Sequence, residues 1–94
     1  MTVHVLKTWP EYFQPICDGN KTFEKRKNDR DYKEGDRLLL QEWDPATREY
    51  TGREVWAVVT YILDGPMQDL DPHHSLMSIR TYTPGLIRRH TGVR

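Results

Sequence analysis

The chain carries a single cysteine, Cys17, among its 94 residues. That excludes a disulfide framework and a multi-cysteine zinc site, so nothing argues for an oxidising compartment and a reducing cytoplasm is the expectation. Long apolar runs are missing as well. No stretch approaches the roughly 18 residues needed to cross a bilayer, and Met1-Thr2-Val3-His4-Val5 lacks the basic-then-apolar order of a secretory leader. A soluble protein with no membrane partner is expected. Neither a Walker loop nor a G-x-G-x-x-G turn is present, which closes those two routes to phosphate binding. Net charge is also absent, with 14 Lys and Arg against 14 Asp and Glu.

The zero charge is an average over unlike segments. Arg80, Arg88, Arg89 and Arg94 lie in a C-terminal stretch that has no acid, so the body before it carries the matching acidic excess. Within the body, Lys21 to Arg37 holds seven bases and five acids, whereas Leu38 to Pro72 holds two bases and seven acids. An anion site is expected in the first of these segments or in the tail. At 30% charged and 11% aromatic residues the composition is that of one small folded domain.

Val3 to Leu6 reads as a first strand. Pro10 suits the first position of a helix, where a missing N–H is harmless. Tyr12, Phe13, Ile16 and Cys17 recur at helical spacing, which predicts an apolar face with Cys17 buried on it; Pro15 predicts a short or kinked helix, and Gly19 its end. Lys21 to Arg26 suits a strand with Thr22, Glu24 and Arg26 on one face. Further strands are expected over Arg37 to Trp43, Glu54 to Leu63 and Ser75 to Arg80. A turn at Asp44-Pro45 opens a connection that closes at Thr51-Gly52. The Glu54 to Leu63 run is apolar on both sides and belongs at the centre of a sheet. Five strands with one early helix predict an α+β small barrel over residues 1–80, closed so that no edge is left open. Residues 81–94 are expected to form a basic tail or short helix.

The densest polar constellation is Gly19 to Arg30. A solvated charged strand is the plain reading. Against it, Thr22, Glu24 and Arg26 gather a hydroxyl, an acceptor and a fork-shaped donor on one face, beside Lys21. Arginine grips phosphate at two points, lysine supplies a compact charge, and glutamate accepts from a base amino group. Trp9, Trp43 and Tyr61 are candidates for base stacking, although the apolar strand around Trp56 and Tyr61 favours core packing for those two. His73 and His74 with Asp71 and His4 lack metal-ligand spacing, so neither a metal nor a cofactor is expected.

Several segments together carry a resemblance: His4-Val5-Leu6-Lys7, Pro10-Glu11-Tyr12-Phe13, Gly19 to Arg30, Gly35-Asp36, Glu42-Trp43-Asp44-Pro45, Tyr50-Thr51-Gly52-Arg53 and Val59 to Leu63. In these the chain resembles the ASCH domains of the PUA-like superfamily, and within them the small phage and bacterial proteins classed as DUF3850. The resemblance implies a PUA-like β-barrel with a cleft beside the first helix, where the glycine-lysine segment lines a pocket for RNA or a nucleotide. It also implies a hydrolase alternative, either an amidohydrolase removing an acyl group from N4 of a modified cytidine or a ribonuclease. In the amidohydrolase branch the lysine matching Lys21 acts as base with a threonine and a later glutamate; here Glu24 stands where that threonine would be.

The reading that follows is an RNA- or nucleotide-binding module that uses Lys21, Thr22, Glu24, Arg26, Asn28, Arg30 and Trp43. If it turns over a substrate, Lys21 activates water or Thr22, Glu24 carries the proton, and Arg26 or Arg30 meets developing negative charge. A third reading is a phage-derived protein that binds and modulates a host factor, for which the acidic stretch around Glu42, Asp44, Glu49 and Glu54 is the one sequence signal.

Overall fold

A computed structural model describes residues 2–67 and 69–84. The elements are β1 (Val3–Thr8), α1 (Pro10–Cys17), β2 (Phe23–Lys27), β3 (Arg37–Asp44), β4 (Glu49–Asp64) and β5 (His74–Tyr82). They form one five-stranded mixed sheet in the order β1-β3-β4-β5-β2, with β1 parallel to β3 and the other pairs antiparallel. Five strands, one early helix and β4 at the centre agree with the α+β, barrel-like expectation.

The alternation along each strand builds the core. His4, Leu6 and Thr8 of β1 point inward, and Val3, Val5 and Lys7 outward. Leu38 and Leu40 of β3, Ala57 and Val59 of β4, and Met77 and Ile79 of β5 meet Leu6, Ile16 and Tyr32 in one cluster. Helix α1 lies over this cluster through Phe13 and Ile16 alone. Tyr12 and Cys17 face solvent, contrary to the expected apolar stripe, because two helical turns offer the sheet only one buried line.

Three further expectations are corrected. Gly52 does not close the β3–β4 connection. The turn lies at Asp44 to Arg48, and Gly52, at φ +94°, sits inside β4 where the pairing jumps from Gln41–Glu54 to Trp43–Tyr50. A second bulge between Val59 and Tyr61 breaks the alternation of β4, so Ile62 turns inward toward Met77 while Tyr61 is left 60% exposed. β5 continues through Thr81 and Tyr82, past the expected start of the tail. Arg88, Arg89 and Arg94 lie outside the described residues.

The sheet edges are also handled differently from a closed barrel. β1 and β2 are the two edges and do not pair. The sheet curls into a half-barrel, and arginines of the β2 segment reach across to the free edge of β1. Arg26 Nη2 donates to the Lys7 carbonyl at 3.0 Å and Arg30 Nη1 to the Val5 carbonyl at 3.0 Å. Val5 and Lys7 are two apart on β1, so their carbonyls point to the same side, away from β3. Side chains thus occupy acceptors that a sixth strand would otherwise use.

One buried polar group anchors the start of the fold. His4 Nε2 lies 2.8 Å from Asp36 Oδ2, with both side chains 7% exposed, and the His4 ring meets Tyr32 edge-on at 4.7 Å. Burial alone raises the Asp36 carboxyl, but hydrogen bonds from His4 and from the Lys33 and Thr2 backbones outweigh it and hold the group below 3.8. A depressed folded value means stability that is complete above 3.8 and is lost as pH falls through the lower folded value. The melting temperature should therefore hold from neutrality down to about pH 4 and then fall. Asp36→Asn should start lower and lose its share of that acid limb, which thermal melts across pH 2–6 will show.

Candidate functional site

A cleft of about 610 Å³ opens where the end of β1, the start of α1 and β2 converge. The chain's local rules place its walls. Pro10 starts α1 at its first position, which leaves Trp9 as an extended cap residue with its carbonyl accepting from the Tyr12 and Phe13 N–H groups. The indole is 44% exposed at that corner, with Tyr12 50% exposed one turn on. Gly19, at φ +80°, then reverses the chain, and the N–H groups of Asn20 and Lys21 both donate to the Pro15 carbonyl. This return brings the Lys21 ammonium back to 5.9 Å from the Tyr12 ring and 4.6 Å from the Phe23 ring.

Strand alternation in β2 sets the floor. Glu24 pairs opposite the buried Met77 and is itself 4% exposed, while Phe23 and Lys25 turn outward. Both carboxylate oxygens are taken: Lys21 Nζ donates to Oε1 at 2.8 Å and Arg26 Nε to Oε2 at 2.8 Å. Lys21 also donates to the Phe23 carbonyl at 2.7 Å, and Arg26 to Thr8 Oγ1 at 3.3 Å. A carboxylate held between two cations fixes both of them. Lys7, Lys21, Lys25 and Arg26 line the cleft against the one carboxylate of Glu24, so its field is positive. Trp9, Tyr12 and Phe23 supply the aromatic surface. The arrangement can bind an anion that also carries a flat ring.

Of the residues singled out in the sequence, Lys21, Glu24 and Arg26 meet here. Thr22 precedes β2, where its carbonyl accepts from the Ile79 N–H, is exposed and is not among the residues lining the cleft. Arg30 lies beyond the cleft on the β1 edge, and Asn28 is exposed, its N–H bound to the His73 carbonyl. Trp43 is half-buried outside the cleft, with the Lys7 ammonium 4.2 Å over its ring. Glu42, named above in the acidic stretch, is buried and accepts from Thr51 Oγ1 at 2.7 Å with Arg53 at 3.6 Å. His4 is engaged with Asp36, not with Asp71, and among the described residues no group of three His, Cys, Asp or Glu is placed to hold a metal ion.

The sequence reading left Lys7, Tyr12, Phe23 and Lys25 out of the site. Helical periodicity puts Tyr12 in the core stripe, and the charged constellation points to one face of β2, whereas the cleft uses both. The signal was available in the spacing: Lys7, Trp9 and Tyr12 flank the strand-to-helix corner, and Gly19 returns the chain to it.

Among the described residues no helix is long and apolar enough to cross a membrane. The chain is 40% identical over 62 residues to the "Uncharacterized 12.9 kDa protein in GpA 3'region" of Escherichia phage P2. That match takes in 66% of this chain and spans 55% of the length of the phage protein. The family described as "Domain of unknown function (DUF3850)" matches residues 3–79, which contain every residue of the cleft, and the chain belongs to that family.

Proposed function

We propose that the protein binds RNA or a nucleotide in the cleft beside α1, as a PUA-like module. The observation that carries this reading is the ring of exposed Trp9, Tyr12 and Phe23 around cations fixed by the buried Glu24. Exposed aromatic rings stack on any base, and stacking contributes about 1–3 kcal/mol per base. Lys21 and Arg26 on the floor and Lys7 and Lys25 at the sides then meet phosphate. Pinning Lys21 and Arg26 in advance lowers the ordering cost of binding.

The hydrolase reading has one supporting observation, the 2.8 Å contact of Lys21 with Glu24. It is the weaker of the two, since Lys21 acts as a donor to both Glu24 and the Phe23 carbonyl, and Thr22 stands outside the cleft. Incubation with N4-acylated cytidines and short RNAs at high protein concentration separates turnover from binding.

Thermal denaturation with a panel of nucleosides, nucleotides and short RNAs tests the binding reading. A ligand at 100 times its dissociation constant should stabilise the fold by about 2.7 kcal/mol. Lys21→Ala should remove most of that shift, and raising the salt concentration should shrink it. A panel that moves the melting temperature of neither protein overturns the proposal.

A further inference from the structure

We infer that the cleft takes a short nucleic-acid strand in preference to a free nucleotide, with a second base seated on Trp43 and Tyr50. The inference rests on the nucleotide reading of the cleft and adds a neighbouring subsite.

Lys7 makes the connection. It belongs to the outward row of β1, lines the cleft, and carries its ammonium 4.2 Å over the Trp43 ring. Lys7 pairs across to Gln41, and Trp43 follows two residues on, on the same outer side of β3, since Glu42 between them is buried. A single lysine side chain therefore separates the cleft from the indole. Trp43 pairs with Tyr50 of β4, which is 55% exposed, so the hairpin carries two aromatic residues at directly opposed positions. Among the described residues the Lys7 ammonium lies over the Trp43 ring and has no carboxylate partner within ion-pair distance. Its charge is available to a phosphate joining one base in the cleft to the next on Trp43.

The charges beyond the hairpin rings limit how far a strand runs. Asp44 and Glu49 face each other across the tip, directly after Trp43 and before Tyr50. Phosphates are repelled there, so the site fits two or three nucleotides and no more. The complementarity of a cation flanked by aromatic rings selects a single-stranded polyanion with stacking bases, whether RNA or DNA.

The test is a calorimetric titration of the full chain with adenosine monophosphate and with oligoadenylates of two, three and six nucleotides, as RNA and as DNA, at one salt concentration. Affinity should rise about tenfold from the mononucleotide to the trinucleotide and then level off. Trp43→Ala should cancel that rise while leaving mononucleotide affinity unchanged, and Trp43→Phe should keep most of it. Tyr50→Ala, at an exposed position, should cancel part of the rise without disturbing the fold. Equal affinity at every length, abolished by Lys21→Ala, overturns the second subsite and leaves the cleft reading standing. Binding of no probe at any length overturns the cleft reading and this inference with it. Preference for an acidic peptide over every oligonucleotide overturns it as well.

Discussion

Glu24→Ala should lower the melting temperature by about 10–20 °C. The substitution leaves the Lys21 and Arg26 charges facing each other with no carboxylate between them, in a place where Glu24 is only 4% exposed. Removing one partner of a buried ion pair costs about 3–5 kcal/mol. Lys21 and Arg26 retain 16% and 26% side-chain exposure, so water recovers part of the loss and about 2–3 kcal/mol is the expectation. At about 4–8 °C per kcal/mol for a domain of this size, that loss spans about 8–24 °C, with the stated range at its middle. Two companions identify the cause. Glu24→Gln should lose less, because the amide oxygen still accepts from one cation, and added salt should restore part of the Glu24→Ala loss by screening the two cations from each other. A Glu24→Ala protein that melts within about 2 °C of the parent contradicts the account of the cleft floor.

The double change Trp9→Ala, Tyr12→Ala should have the opposite profile, with the fold intact and the ligand lost. Both rings are about half exposed, and the core beneath α1 is filled by Phe13 and Ile16. Removing two stacking surfaces should weaken nucleotide binding by about 2–4 kcal/mol, on the order of 30- to 1,000-fold. The melting temperature without ligand should stay within a few degrees of the parent. Affinity unchanged by the double substitution, measured by calorimetry with whichever nucleotide gives the largest thermal shift, contradicts the assignment of these rings to the site. The two experiments separate what holds the cleft together from what the cleft holds.

How much of this was legible in the sequence follows from how local each signal is. Pro10 and Gly19 marked the two ends of α1 because each acts through its own backbone, and the apolar run at Val55 to Leu63 marked the central strand because it needs cover on both faces. Glu24 and Arg26 are legible as a pair because a strand puts alternate residues on one side, and Lys21 is legible beside them as part of a charged cluster visible by composition. What escaped depends on geometry that periodicity does not carry. The bulge between Val59 and Tyr61 turned Tyr61 outward, and the one at Gly52 moved the β3–β4 turn back to Asp44 to Arg48. The exposure of Tyr12 and Cys17 is not legible, since a helical repeat gives a stripe without saying how wide a face two turns can bury. The burial of Glu24 and the reach of Arg26 and Arg30 to the β1 edge needed the sheet order, which sets β1 and β2 at opposite ends and then curls them together. The link from the cleft through Lys7 to Trp43 needed the parallel pairing of β1 with β3.

The fold also explains why the cleft lies where it does. The gap between two unpaired edges is the one place in a half-barrel where side chains from both ends of the sheet meet, and here arginine side chains bridge it in place of a backbone ladder. The carbonyls they cap belong to the strand that leads into Trp9, so the closure of the sheet and the wall of the cleft share Arg26.

The central claim is that this gap is where a nucleotide or RNA is held, and amide chemical-shift mapping tests it most directly. On titration with the nucleotide that stabilises the protein most, the largest shifts should fall on Lys7 to Phe13 and Lys21 to Arg26, with the β3–β4 turn at Asp44 to Arg48 unmoved. Shifts centred on Tyr61 or on the acidic turn at Asp44 to Glu49, with the cleft amides silent at saturation, would contradict it.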